Sequence, residues 1–397
     1  MPRWSSFEAF LTEALNAPND AERQRLVDEL LVERIVFPWV ESDRATFVYY
    51  GADAQNVALN LDTITHDPPF DPMFQLEGTH FWYLTRAFAP DDLLDYLLVV
   101  NDPMTPLAQE TDILSRVTRY WHSDARNPLK METGQQSVSV LQMPNARPFP
   151  DWNAMRRVTR GTTHDLTIDS DELGFADRRL TIYTPPGYEG SDLAYPLLIL
   201  QDGQWAEGPL QVPAIANALI KYQRMQPTII AMIQSGNQEE RNREYTTAMG
   251  YNLFLLTELL PVLQSGYRID SSKIGVGGVA LGAVAAATAA LENPSVFSRL
   301  ILISPPLGKG AYQDHLREVM TRFEKADLIP ARIFQSVGRY EAKARFYRPA
   351  QSLSDTLGNR RDTEHRFVEL GSGHGLVGFR GALPEALVWA FPGAAGD

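Results

Sequence analysis

Apolar positions recur along the chain in two periods, and the switches between them divide it. In the opening stretch Phe7, Phe10, Leu11, Ala14 and Leu15 share one helical face, and Leu26, Val27, Leu30 and Leu31 share another. Ser5-x-x-Glu8 and Asn19-x-x-Glu22 supply capping-box signals ahead of the two runs. From about Arg44 the period drops to two. Segments 46–50, 57–61, 80–86 and 94–100 are short and rich in β-branched and aromatic residues, with Gly51-Ala52-Asp53, Glu77-Gly78-Thr79 and Pro90-Asp91-Asp92 between them. This spacing predicts a β-sandwich. Its dense aromatics, among them Phe47, Tyr49, Phe81, Trp82 and Tyr96, read as core, with a ligand platform as the alternative.

After the proline-rich stretch Pro144 to Pro150 the two periods alternate. Strand patterns at 180–184, 197–200, 229–233, 274–277, 300–304, 332–337 and 366–370 are separated by helical patterns at 212–223, 251–264, 281–291 and 312–325, and another follows at 383–390. Strands alternating with helices predict a mostly parallel sheet covered on both faces, an α/β domain. The expected organisation is a helical segment over 1–43, a β-sandwich over 44–142, a linker over 143–160 and the α/β domain over 161–397.

Composition narrows the possible partners. A net charge of -13 in 397 residues argues against general nucleic-acid binding or an anionic membrane surface. With no cysteine, disulfides and thiolate metal sites are excluded, and the seven histidines show no paired metal-ligand spacing. The start, Met1-Pro2-Arg3-Trp4-Ser5, lacks an apolar signal core, and no apolar run is long enough to span a bilayer. The reading is a cytoplasmic protein with no metal and no cofactor; the sequence does not fix its oligomeric state.

In sheets of this kind the chemistry lies beyond the carboxyl ends of the strands. Three candidates fall there in the order nucleophile, acid, histidine. Gly278-Val279-Ala280-Leu281-Gly282 has the strand, tight turn and helix of a nucleophile elbow, yet alanine stands at its centre. Glu341 follows the strand pattern at 332–337, although Arg339, Lys343 and Arg345 offer it surface partners instead. His374 follows the last strand within Gly371-Ser372-Gly373-His374-Gly375. The amide of Leu281 and one in the Asp202-Gly203-Gln204-Trp205 loop, near Gln204, are the candidate oxyanion donors. Gly275-x-Gly277-x-x-Ala280 also fits a loosened dinucleotide fingerprint, but no acidic residue follows at the required distance.

With these residues placed, the chain resembles the enterochelin esterase-like family and, more broadly, the esterase D-type α/β hydrolases. The resemblance rests on 180–188 (Leu-Thr-Ile-Tyr-Thr-Pro-Pro-Gly-Tyr), on 195–203 with its Asp202-Gly203 loop, and on Arg241-Asn242-Arg243-Glu244-Tyr245. Asn293-Pro294-Ser295-Val296-Phe297, and Gly373-His374 with Arg380-Gly381-Ala382-Leu383, extend it. It implies an α/β-hydrolase domain preceded by an immunoglobulin-like sandwich and an activity on carboxylic esters, including those of catecholate siderophores. The family's serine falls on Ala280, its base on His374 and its acid on Glu341. Asp202, Trp205, Arg243 and Arg345 are candidate contacts for a small ester or ester-like ligand. Seven basic against four acidic residues between Arg339 and Arg366 make an anionic ligand one reading of that stretch and a solvated surface the other. As written, the chain is either an esterase disarmed at 280, by natural loss or an introduced change, or a non-catalytic binding protein.

Overall fold

A computed structural model describes residues 2–134, 136–146, 155, 157–247, 249–310 and 313–395. Most of the proline-rich linker therefore lies outside the described residues, as does Tyr312, the expected start of one helix. The chain divides into two compact units: Met1–Arg147 together with Gly371–Val377, and Pro148–Leu370 together with Gly378–Asp397.

The first unit opens with helices Phe7–Leu15 and Asp20–Glu33. Asn19 caps the second, its side-chain oxygen accepting the Glu22 N–H at 2.9 Å. The first begins one residue later than the sequence signal: Ser6, not Ser5, accepts the Ala9 N–H, at 3.1 Å. These helices are no separate segment, because Trp4, Phe7, Phe10, Leu26 and Leu30 share one buried cluster with Val48, Leu76 and Phe81 of the sheet. Two antiparallel sheets make up the rest. One is built on Arg44–Tyr50 and Phe81–Ala87, the other on Val57–Leu61, Leu93–Val100 and Ser137–Gln142. Phe47 of the first meets Tyr96 of the second edge-on at 4.8 Å, so part of the aromatic set forms the sandwich core, whereas Phe81 packs with the N-terminal helices and Tyr50 and Phe74 are exposed. Helix Ile113–Tyr120 and several two- and three-residue strands were not legible in the pattern.

The second unit holds eight strands: β1 (Thr162–Ser170), β2 (Phe175–Thr184), β3 (Tyr195–Leu200), β4 (Ile229–Ile233), β5 (Ile269–Val279), β6 (Phe297–Ile303), β7 (Arg332–Gly338) and β8 (Glu364–Leu370). Their order in the sheet is β1-β2-β4-β3-β5-β6-β7-β8. Pairing is antiparallel for β1 with β2 and for β2 with β4, and parallel from β4 through β8. This is the α/β-hydrolase arrangement. β3 and β4 are buried at every position, as a parallel sheet covered on both faces requires. Strand β1 escaped the sequence reading because it is an edge: six of its nine positions are exposed, leaving no apolar alternation.

Helix Leu281–Glu292 follows β5 and is buried from Gly282 through Leu291. A helix apolar on all sides belongs inside a core. Its alanines (283, 285, 286, 287, 289 and 290) carry so little bulk that it can lie close to the sheet. Its first residue is thereby fixed over the carboxyl end of β5, and the candidate chemistry begins at that point.

Candidate active site

Parallel neighbours end on the same edge, so the turns after β3, β5, β6 and β7 bring Asp202, Ala280, Ser304 and Glu341 to one side of the sheet. Three of these four have left-handed backbone: φ is 57° at Asp202, 51° at Ala280 and 50° at Ser304. For a non-glycine residue such a conformation costs on the order of 1–3 kcal/mol and persists only where the surroundings enforce it.

At Ala280 the enforcement is visible. Its φ and ψ are 51° and -121°, a combination foreign to both strand and helix. The Ala280 N–H donates to the Ile303 carbonyl at 2.9 Å, which ties the turn to the end of β6. On either side the backbone passes itself closely. A Cβ at Gly278 would lie 2.4 Å from the Gly282 carbonyl carbon, and one at Gly282 would lie 2.8 Å from an Asp202 carboxylate oxygen. Only glycine fits either place, so the small-x-x-x-small spacing is a steric demand of the turn. What projects from the turn is a half-buried methyl group.

Glu341 is buried, at 3% exposure, which answers the surface alternative against it. Its Oε1 accepts the Ser304 hydroxyl at 2.6 Å and the Gly338 N–H at 2.6 Å. Arg339 pairs with Glu369 at 3.0 Å. Ser304 went unnoticed in the sequence; its signal was its place one residue past a strand end, before Pro305-Pro306.

The loop after β3 is held by a buried ion pair. Arg241 donates Nε and Nη2 to the two Asp202 carboxylate oxygens at 2.7 and 2.8 Å. Asp202 thus faces Arg241, and its N–H donates to the Tyr245 hydroxyl at 3.3 Å. Gly203 opens a short helix, Gly203–Glu207, and the Gln204 side chain is clamped by Ser235, donating at 2.7 Å and accepting at 3.2 Å. The amides of Leu281 and Gln204 both lie in first helical turns, where the helix itself offers them no acceptor. Trp205 is half-buried with the Arg241 guanidinium 5.0 Å from its ring.

The other candidates stand elsewhere. Arg243 is exposed on helix Gln238–Thr247, whose inward face carries Arg241, Glu244 and Tyr245. Arg345 is exposed, its guanidinium 5.3 Å from the Phe346 ring. Part of the basic excess nearby is matched, since Arg360 pairs with Asp362 and Arg366 with Glu385. His374 is exposed in the loop that leaves β8, and that loop packs with the first unit rather than with the sheet. Among the described residues no group of three or more His, Cys, Asp and Glu could hold a metal ion, and no helix is long and apolar enough to cross a membrane.

A family profile described as "Putative esterase" matches residues 171–390. One similar solved structure is the enterobactin esterase of Shigella flexneri, determined in the presence of enterobactin. It is 19% identical, with a TM-score of 0.71 over 87% of this chain and 92% of that one. Another, the ferric enterobactin esterase of Salmonella typhimurium, is 22% identical with a TM-score of 0.70 over 87% and 93%. An uncharacterized Bacillus subtilis protein, YbbA, is 22% identical over 239 residues, 54% of this chain and 93% of its own length.

Proposed function

The chain belongs to the esterase family matched over residues 171–390, and from that premise we propose that it is a carboxylic-ester hydrolase scaffold disarmed at its nucleophile. Residue 280 carries the reading: a strained elbow, closed by two glycines, presents a methyl group where acyl transfer needs a hydroxyl. In the proposed arrangement His374 is the base, Glu341 is the acid that orients it, and the amides of Leu281 and Gln204 meet the oxyanion. A methyl has no lone pair to attack a carbonyl carbon and no proton to give the imidazole. Losing the nucleophile in a serine hydrolase costs about 10⁶ in kcat. As it stands, the protein holds an ester-like ligand, or a partner bearing one, without turning it over.

Trp205, Arg243 and Arg345 are the proposed ligand contacts, and the two arginines suit an anionic ester. Asp202 serves by fixing the loop that carries Gly203 and Gln204. An ester of the catecholate-siderophore type, met in the cytoplasm, is the first ligand to test, and the N-terminal sandwich is read as immunoglobulin-like. The test is Ala280→Ser. The chain with Ala280 should leave short p-nitrophenyl esters untouched, while the variant hydrolyses them at least ~10⁴-fold faster. Equal turnover by the two chains would overturn the reading, and a variant as silent as its parent would favour a binding protein of another class.

A further inference from the structure

The loop that carries His374 is built into the first unit through two carboxylates, and their arrangement is costly enough to need a reason. The antiparallel register pairs Leu61 with Tyr96, which sets Asp62 opposite Asp95 one step further along; the Asp62 N–H donates to the Asp95 carbonyl at 3.3 Å. Like charges placed directly across a sheet repel. Moreover, Asp95 Oδ1 is sealed from solvent with no hydrogen-bond partner. Burial pushes the Asp95 carboxyl above its ordinary value.

The histidine loop rests on this pair. The Gly373 N–H donates to Asp62 Oδ2 at 2.8 Å. A Cβ at Gly373 would fall 2.3 Å from Asp62 Oδ1, and one at Gly375 would fall 2.9 Å from Asp95 Oδ1. Upstream, Gly371 forms a parallel bridge with Asp92, and its carbonyl accepts the Leu93 N–H at 2.7 Å. The residues flanking His374 on both sides are therefore pressed onto the carboxyl pair, and the first anchor sits at the loop's start.

We propose that Asp62 and Asp95 are positioning residues that fix the backbone on either side of His374 and so set the direction of its imidazole. This inference rests on His374 being the base of the proposed function, and its test is arranged so that the two can fail separately.

The first measurement uses the full chain with Ala280 in place and follows the His374 ring nitrogens by NMR. Asp62→Ala should shift or broaden those resonances, whereas Asp62→Asn, whose amide oxygen still accepts from Gly373, should restore them. Asp95→Asn, which keeps a side chain of the same size against Gly375, should likewise behave as the parent, and Asp95→Ala should not. Should Asp62→Ala fail to fold, Gly373→Ala disturbs the same contact while leaving both strands intact. The second measurement repeats the series on Ala280→Ser. There Asp62→Ala should lower kcat by about 10- to 100-fold with KM held within about twofold, the mark of a misplaced base in an intact pocket. Folded Asp62→Ala and Gly373→Ala variants with unchanged His374 resonances would overturn the inference. An inactive Ala280→Ser parent whose His374 signals still respond would instead overturn the functional reading and leave the loop's anchoring supported.

Discussion

The elbow at Ala280 and the loop at His374 are both short, glycine-flanked turns that follow strands of one sheet, yet different forces hold them. The elbow is fixed by its own neighbours in sequence: Gly278 and Gly282 let the chain fold against itself, the buried alanine-rich helix pins one side, and β6 pins the other. The histidine loop is fixed from afar, by an aspartate 311 residues away and by the strand beside it. Local sterics make the first turn nearly independent of the rest of the molecule. The second depends on a contact with a strand-end residue far away in sequence. The elbow therefore keeps its shape with alanine at its centre, because the glycines and the strand end that hold it do not depend on the central side chain.

That contrast can be attacked from the elbow side first. Breaking the ion pair that braces the neighbouring loop, by Arg241→Ala, strands the buried Asp202 carboxylate and should cost about 3–5 kcal/mol of stability in urea denaturation. A loss under about 1 kcal/mol would mean that the pair does not hold this edge of the sheet.

The strand leading to the histidine loop offers a smaller lever. Burial lowers the His365 pKa to about 4, and its ring lies 3.3 Å from Gln335 Oε1. Between pH 6.5 and 4 the unfolded chain binds this proton and the folded chain does not, so stability is full above 6.5 and falls as the pH drops through that window. The loss should be on the order of 2 kcal/mol and should vanish in His365→Gln. A variant with the parent's acid profile would move the cause elsewhere.

The smallest effect is the most local. Ala280→Gly removes the Cβ that makes φ of 51° unfavourable, and it should raise stability by about 1 kcal/mol despite glycine's greater freedom when unfolded. A destabilised variant would show that the methyl's packing outweighs the strain.

The same contrast explains what the sequence could and could not reveal. The elbow was legible because its constraints lie within five consecutive residues, whereas the sequence left Glu341 open between a site and a surface role and only its burial in the fold separates them. Most sheet strands were legible as apolar runs, but polar edge β1 was not. Arg241 was missed because helical phase alone does not tell it from Arg243: both lie on one helix, and only the tertiary position of Asp202 decides which turns inward. Ser304 and the pair Asp62 and Asp95 left no mark, because each acquires its meaning from a partner far along the chain.

The central claim is that the site lacks a nucleophile and is otherwise shaped to carry one. Intact-mass spectrometry after exposure to a fluorophosphonate tests it most directly. The account predicts no adduct on the chain with Ala280 and a single adduct on Ala280→Ser, mapped to residue 280. Labelling of the Ala280 chain at any serine in this site, or an Ala280→Ser variant that stays unlabelled while folded, would contradict it.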